Sequence, residues 1–264
     1  MKKLFILCSI IPLIFYSCEK GTTHDVVPNP KTELRNPYDF FGQHHNAAMQ
    51  IMYDSISQGR RIDMTQFAQN YCANEFSLID DVHDFQFWMA RFDTIGEYIQ
   101  AILTYMLETN NTPDFSVDIF YPLTLYQKGQ LSDLFELIDL AESVETLDSL
   151  ILEVETEVLE SEVIESWEKG VVLGTISIAK FSLQFYETHF TQDRGPFLER
   201  VKKVVKADAA GFVGGAVGSF IAGHPQSATL VFGPQGAVVT VAADATVGAI
   251  TGSGAEIVHQ IVSH

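Results

Sequence analysis

The sequence predicts an all-α protein, an irregular helical bundle that ends in a glycine-rich helical hairpin. Two observations lead to this fold class. Apolar residues recur at helical spacing through most of residues 39–197, and no run before residue 200 alternates as a half-buried strand does. The second observation is that glycines recur four residues apart within the apolar, alanine-rich stretches of residues 207–255.

The acidic helical body is predicted to cover residues 39–197. Asp39 is placed as the N-cap of a first helix that stops near Gly59. The buried positions of that helix follow from helical spacing and are Phe41, His45, Ala48 and Met52. A second helix is predicted over about residues 64–74, and helical periodicity continues over 77–108.

Two acidic helices and one apolar helix complete the body. Residues 131–168 contain 13 Asp or Glu and no Lys or Arg, with Ser143 as the cap of a new helix after a break. The one-signed charge predicts a solvated outer face; the alternative is a cation-binding or partner-docking surface. Residues 170–189 are apolar almost all round, which predicts the central buried helix of a bundle.

The glycine-rich hairpin is predicted over residues 198–264, with helices at about 198–222 and 236–262. Glycine costs ~1 kcal/mol relative to alanine inside a helix. Several glycines at one spacing therefore indicate that two helix backbones approach closely. The candidate helix-packing glycines are Gly211, Gly214, Gly215, Gly218, Gly248 and Gly252.

The hairpin is also tested as a membrane segment. Its uncharged stretches, 209–223 and 228–243, have 15 and 16 residues. A transmembrane helix needs ~20 residues, so the lengths favour a hairpin packed on itself and on the body. Insertion into a bilayer after initial folding is the alternative.

The N-terminus has the layout of a lipoprotein signal peptide over residues 1–17. Lys2 and Lys3 precede an apolar run from Leu4 to Tyr16, and Ser17 stands directly before Cys18. Cys18 is therefore predicted to be the lipidated first residue of the mature chain, with residues 18–38 as a flexible tether. An ordinary signal peptide or a transmembrane anchor is the alternative, although a 13-residue run is short for a span.

The net charge limits the classes of binding partner, and the cysteine content limits the number of free thiols. Removal of residues 1–17 takes away two lysines and changes the net charge from -18 to -20. Nucleic acid is excluded as a partner because its binding depends on basic side chains. Membrane lipid, reached through acylated Cys18, is the expected partner. Cys72 is then the one cysteine left as a thiol, and we expect it to be buried.

Three blocks carry a family resemblance: Asn36-Pro37-Tyr38-Asp39-Phe40-Phe41-Gly42-Gln43-His44-His45-Asn46, Ser177-Ile178-Ala179-Lys180-Phe181-Ser182 and Val205-Lys206-Ala207-Asp208-Ala209-Ala210-Gly211. They resemble blocks in uncharacterised lipoproteins of Bacteroidetes bacteria, whose tails resemble glycine-rich, bacteriocin-like sequences. The resemblance covers most of the mature chain. It implies a place in the bacterial cell envelope, but no activity. Glu19, where Asp would favour inner-membrane retention in enteric bacteria, favours the outer membrane.

Catalytic signals are weak. His44, His45, Asp80 and His83 are candidate metal ligands, but adjacent histidines on a helix point about 100° apart and rarely share one ion. Serine-hydrolase, phosphate-loop, dinucleotide and paired-cysteine motifs are absent from the sequence. No cofactor is predicted. The favoured function is a non-catalytic, lipid-anchored envelope protein whose hairpin packs or binds a protein partner. The alternatives are a membrane-active, bacteriocin-like or pore-forming protein and a metal-dependent hydrolase.

Overall fold

Helices account for the regular secondary structure of the described residues. The computed structural model describes residues 35–75, 101, 104–105, 113–161, 166–190, 197–221, 241 and 243–254. In chain order the helices are α1 (Asp39–Ser57), α2 (Met64–Glu75), α3 (Leu125–Leu140), α4 (Val144–Glu160), α5 (Ser166–His189) and α6 (Phe197–Ile221). Residues 243–254 are also helical and are called the C-terminal segment below. The predicted all-α fold is confirmed.

Helix α1 buries the predicted face, including Phe41, His45, Ala48 and Met52. Its end is marked by Gly59, which has a φ of 74°, a conformation that glycine adopts without steric cost. The prediction that Asp39 caps the helix is wrong. Tyr38 occupies the N-cap without a side-chain hydrogen bond, and Asp39 is the first helical residue. Its carboxylate instead contacts the ammonium of Lys180 on α5.

The acidic region forms two helices with capped N-termini. Helix α3 follows a 3-10 turn at Asp118–Phe120 and begins in a capping box, in which Thr124 and Gln127 each bond the other's backbone N–H. Helix α4 begins at the predicted cap, where the Ser143 hydroxyl accepts a hydrogen bond from the Thr146 N–H. The apolar stripes of both helices are buried, while most of their acidic side chains face solvent.

Helix α5 is the centre of the bundle. All of residues 171–180 are buried, as the all-round apolar sequence predicts. This helix packs against α1, α3, α4 and α6. Helix α6 is buried almost as completely from Val204 to Ser219, apart from a short half-exposed stretch at residues 206–207. The glycine-rich helix thus belongs to the core of the bundle, and the described residues, which begin at Arg35, belong to one compact unit.

Candidate functional site

The C-terminal segment lies directly against α6 at glycines. A methyl group built on Gly211 would overlap with the carbonyl group of Gly248, and one built on Gly248 would overlap with that of Gly211. One turn further along α6, a methyl group on Gly215 would overlap with the backbone of Asp244. The two backbones are therefore closer than any side chain at these positions would permit.

These contacts define an antiparallel register. Numbers rise along α6 as they fall along the C-terminal segment, from the pair Gly211–Gly248 to the pair Gly215–Asp244. In the opposite direction the next pair is polar, because the Ser253 hydroxyl donates a hydrogen bond to Asp208 Oδ1. Among the other candidate glycines, Gly214 and Gly218 are buried and Gly252 is half-buried.

A buried polar cluster surrounds that last pair and joins four elements. Asp208 from α6 accepts hydrogen bonds from Ser253 and, at 2.5 Å, from Ser182 of α5. His45 from α1 places its Nε2 3.0 Å from Ser253 Oγ and 3.4 Å from Asp208 Oδ2. All four side chains are at most 2% exposed. The cluster therefore connects the C-terminal segment to the body without contact with solvent.

Burial favours the uncharged forms of both titratable groups. Desolvation lowers the pKa of His45 to about 4, although its hydrogen bond with Asn46 acts in the opposite direction. Desolvation raises the pKa of Asp208 to about 7, against the hydrogen bonds from Ser182 and Ser253. The 3.4 Å separation would suit an ion pair. The neutral imidazole and carboxylic acid are the better description, because burial without solvent disfavours both charges.

Serine, histidine and aspartate are also the side chains of a hydrolase triad, but their arrangement in space is different here. In a triad the imidazole lies between the serine and the carboxylate and uses one nitrogen for each. In this cluster Nε2 of His45 faces both Ser253 and Asp208, while Nδ1 faces Asn46. Because Ser253 is 0% exposed, the arrangement fits structural hydrogen bonding and not attack on a substrate.

A second polar cluster fixes the start of α1. The ammonium of Lys180 lies 2.7 Å from both Asp39 Oδ1 and Glu155 Oε1. The Asn36 amide donates to Glu155 at 2.8 Å and to the carbonyl of Leu173 at 3.0 Å. Burial alone would lower the pKa of Lys180, but the hydrogen bonds and charges of the two carboxylates outweigh it and raise that pKa. Lys180 therefore supplies the positive charge between these two carboxylates.

Of the four candidate metal ligands, His44 and His45 lie in the described part of the chain, and the structure does not bring these two together at one site. His45 points into the buried cluster, whereas His44 is partly exposed and lies 3.7 Å from Glu75. Asp80 and His83 lie outside the described residues, as does Cys18. Among the residues that the structure describes, three or more His, Cys, Asp or Glu side chains do not gather in any metal-binding arrangement.

Cys72 is fully buried, and this prediction is confirmed. Burial raises the pKa of its thiol well above the ordinary value, and the nearby carboxylates of Asp244 and Glu75 add to the effect. A thiol in this environment stays protonated and is a poor nucleophile.

An open groove of about 460 Å³ lies between α1 and α5. Its lining combines carboxamides with aromatic rings, but several of the polar groups already have partners. Asn46 and Thr188 donate to backbone carbonyls, His189 Nδ1 bonds another, and Gln50 bonds Asp54. The groove therefore offers few polar groups to a ligand.

Sequence reasoning named His45 and Asp39 in other roles and missed the remaining residues of both polar clusters, although a signal was present. Lys180 is the lone charged residue in the apolar run 171–186, and Asp208 is the lone one in 207–221. An isolated charge in a buried helix requires a partner. That rule predicts that a cluster exists, but it does not identify the other members.

By length and composition alone, helix α6 could cross a membrane: its most apolar 18-residue stretch has a mean hydropathy of 1.4. In the protein, 78% of that stretch is buried. A buried core helix passes the same criterion. No protein-family model, curated protein or solved structure matches the chain.

Proposed function

We propose that this protein is a non-catalytic, lipid-anchored component of the bacterial cell envelope, attached to the outer membrane through acylated Cys18. Its glycine-rich C-terminal helices serve as a packing module of the glycine-zipper type. The observation that carries the packing role is the backbone contact between Gly211 and Gly248 within the buried bundle. The anchor is supported by the sequence pattern that ends at Cys18.

The packing role is supported by where the glycines are used. Gly211, Gly215 and Gly248 contact backbone inside the same chain, so this face of α6 is already occupied. A protein partner at the hairpin would have to bind another face or displace the C-terminal segment. Intramolecular packing is therefore the role that we assign first.

The non-catalytic role is supported by the burial of the reactive groups. Ser253, His45 and Asp208 have no access to solvent, and the Cys72 thiol is held protonated. Enzymes keep such groups beside a cleft that a substrate can enter. The described residues place these groups in hydrogen bonds that join helices.

The anchor is tested by metabolic labelling with a palmitate analogue in the bacterium. The wild-type chain should take up label and fractionate with membranes, and Cys18→Ala should lose both properties. Cys72→Ala is the matched control and should remain labelled. A labelled Cys18→Ala protein, or an unlabelled wild-type chain, would refute lipidation at this residue.

A membrane-active protein is the second candidate, and the length and hydropathy of α6 favour it. Insertion would require α6 to leave the core, where it packs on α5 and the C-terminal segment. Dye release from anionic and neutral liposomes between pH 4 and 8 tests this candidate with the full chain. Leakage that disappears when residues 207–255 are deleted would support it, whereas intact vesicles throughout would eliminate it.

A further inference from the structure

The hydrogen-bond pattern around His45 fixes where protons can reside. The Asn46 amide nitrogen donates to the carbonyl of Phe181 at 2.7 Å, so its amide oxygen faces His45 Nδ1 at 3.3 Å. An amide oxygen only accepts, so Nδ1 must carry a hydrogen. The remaining ring nitrogen, Nε2, faces the oxygens of Ser253 and Asp208.

The proton count on that side follows from the same bonds. The Ser182 hydroxyl donates to Asp208 Oδ2 and the Ser253 hydroxyl donates to Oδ1. Ser253 has one hydroxyl hydrogen, and its oxygen also lies 3.0 Å from Nε2 and 3.3 Å from the Ala249 carbonyl oxygen. That hydrogen cannot serve Asp208 and the lone pair of Nε2 at the same time, so the pair needs one further proton. If neither Nε2 nor Asp208 carried a further proton, the Nε2 lone pair would face an ionised carboxylate 3.4 Å away. If both carried one, an imidazolium and a carboxylic acid would face each other as two donors. One further proton on the pair avoids both conflicts.

We propose that His45 and Asp208 share one proton, which keeps the cluster neutral and locks the C-terminal segment in register on α6. The lock acts at the Asp208–Ser253 pair, directly beside the Gly211–Gly248 contact. A buried polar pair of this kind is satisfied in one register only, because a shift would leave a hydroxyl and an acid unpaired. The glycines permit close approach, and the shared proton selects the position.

Other charged groups around the cluster are engaged elsewhere. On α5, Lys180 is bound by Asp39 and Glu155, and on α6, Lys206 is bound by Asp139 of α3. The pKa values of His45 and Asp208 respond to burial and hydrogen bonds, with no contribution from another charge.

Two further elements carry titratable groups near this region. On the C-terminal segment, Asp244 lies nine residues before Ser253, about 13 Å along a helix axis. On α2, Cys72 stays protonated and Glu75 faces His44. The pair therefore titrates as a local unit.

The shared proton has a consequence for stability against pH. The pKa of Asp208 is raised from 3.8 to about 7, so this group stabilises the packed state of the C-terminal segment at low pH. Its contribution is lost as the pH rises from 3.8 to about 7. His45, whose pKa is lowered from 6.5 to about 4, has the opposite effect: stability is lost as the pH falls from 6.5 towards 4. The two slopes nearly cancel over the shared range, so the lock should be almost insensitive to pH.

Substitution of either His45 or Asp208 leaves the pH dependence of the other group uncancelled, and this tests the proposal. Hydrogen exchange of the amides of residues 243–254, measured on the full chain and corrected for intrinsic rates, reports opening of the segment. His45→Gln should lower protection about 100-fold between pH 5 and 8, because Asp208 then titrates alone. Asp208→Asn should raise it about 30-fold over the same range, because His45 then titrates alone. The wild-type chain should change only about threefold.

Side chains outside the cluster on the same helices provide matched controls, one partly exposed and one exposed. His44→Gln on α1 and Glu199→Gln on α6 should keep the nearly flat wild-type profile, because neither side chain belongs to the cluster. Parallel slopes for His45→Gln and Asp208→Asn would overturn the proposal. The double variant His45→Gln/Asp208→Asn should again be flat, and a pH slope that survived in it would assign the effect to other groups.

A measurement on the wild-type chain covers the case in which a variant does not fold. The ring nitrogen shifts of His45 should report a neutral, Nδ1-protonated imidazole from pH 5 to 6, while the carboxyl carbon of Asp208 reports the protonated acid. A His45 midpoint near 6.5 together with an Asp208 midpoint near 4 would show two independent groups and overturn the shared proton.

Discussion

At the scale of single residues, Lys180 neutralises two carboxylates that are largely shielded from solvent. Its ammonium separates two carboxylates whose side chains are only 9% and 19% exposed. Lys180→Met should lower the free energy of unfolding by about 3 kcal/mol at pH 7, because it leaves Glu155 and Asp39 as buried, unneutralised charges. Urea denaturation at fixed ionic strength measures the loss.

The pH dependence distinguishes this electrostatic cause from lost packing. The deficit of Lys180→Met should shrink when the pH is raised from 7 to 11, as Lys180 of the wild-type chain begins to lose its proton. In the wild-type chain the raised pKa of Lys180 means that its contribution is complete below the ordinary pKa of 10.5 and is lost as the pH rises above it. Lys203→Met, at an exposed position of α6, should change stability by less than about 0.5 kcal/mol. An equal deficit at pH 7 and pH 11 would exclude the electrostatic explanation.

The sequence predicts only part of the arrangement of the buried polar residues. Helical spacing places His45 on the buried face of α1, where its side chain is 1% exposed. Its partner Ser253 is 208 residues away along the chain. Periodicity is a local property, so it identifies the face of a helix that is buried but not the side chains that it meets.

At the scale of elements, the contact between α6 and the C-terminal segment should tolerate no Cβ. Gly211→Ala and Gly248→Ala each place a methyl group against backbone that cannot move aside without separating the helices. Each should lower the free energy of unfolding by about 1–3 kcal/mol through overpacking, despite the better helix propensity of alanine. Thermal unfolding followed by circular dichroism measures both variants.

Gly129 on α3 is the matched control for these substitutions. It is an exposed helical glycine with open space where its Cβ would lie. Gly129→Ala should therefore stabilise the protein by about 0.5–1 kcal/mol, because propensity acts there without a clash. If Gly211→Ala stabilised the protein as Gly129→Ala does, the close backbone approach would be refuted.

The helices themselves were the part of the fold most accessible from the sequence. The cap at Ser143 and the apolar run at 170–189 lie where local rules put them. Asp39 departs from the capping rule because a tertiary partner, Lys180, binds its carboxylate. The glycine spacing predicted close approach, but the pairing of Gly211 with Gly248 depends on the polar contact beside it, which has no local signature.

At the scale of the whole molecule, residues 131–168 contain 13 of the 34 acidic residues and no Lys or Arg, in a chain with a net charge of -18. The last turn of α4 contains no basic side chain, and Glu157 is exposed there, four residues after Glu153. Both the helix dipole and the neighbouring carboxylate disfavour a negative charge at this position. The stability of the full chain should therefore rise when salt is added, since screening weakens this self-repulsion.

Glu157→Lys tests that explanation at one position. It replaces a repulsive pair with a favourable glutamate-to-lysine pair and puts a cation near the helix C-terminus, so it should raise the free energy of unfolding by about 0.5–1 kcal/mol in 10 mM salt. Most of the gain should vanish in 1 M NaCl, where the screening length falls to about 3 Å. Glu157→Gln removes the repulsion without adding attraction and should give about half the gain. A gain that persisted in 1 M NaCl would assign the effect to side-chain packing, and the acidic surface would then cost the fold little.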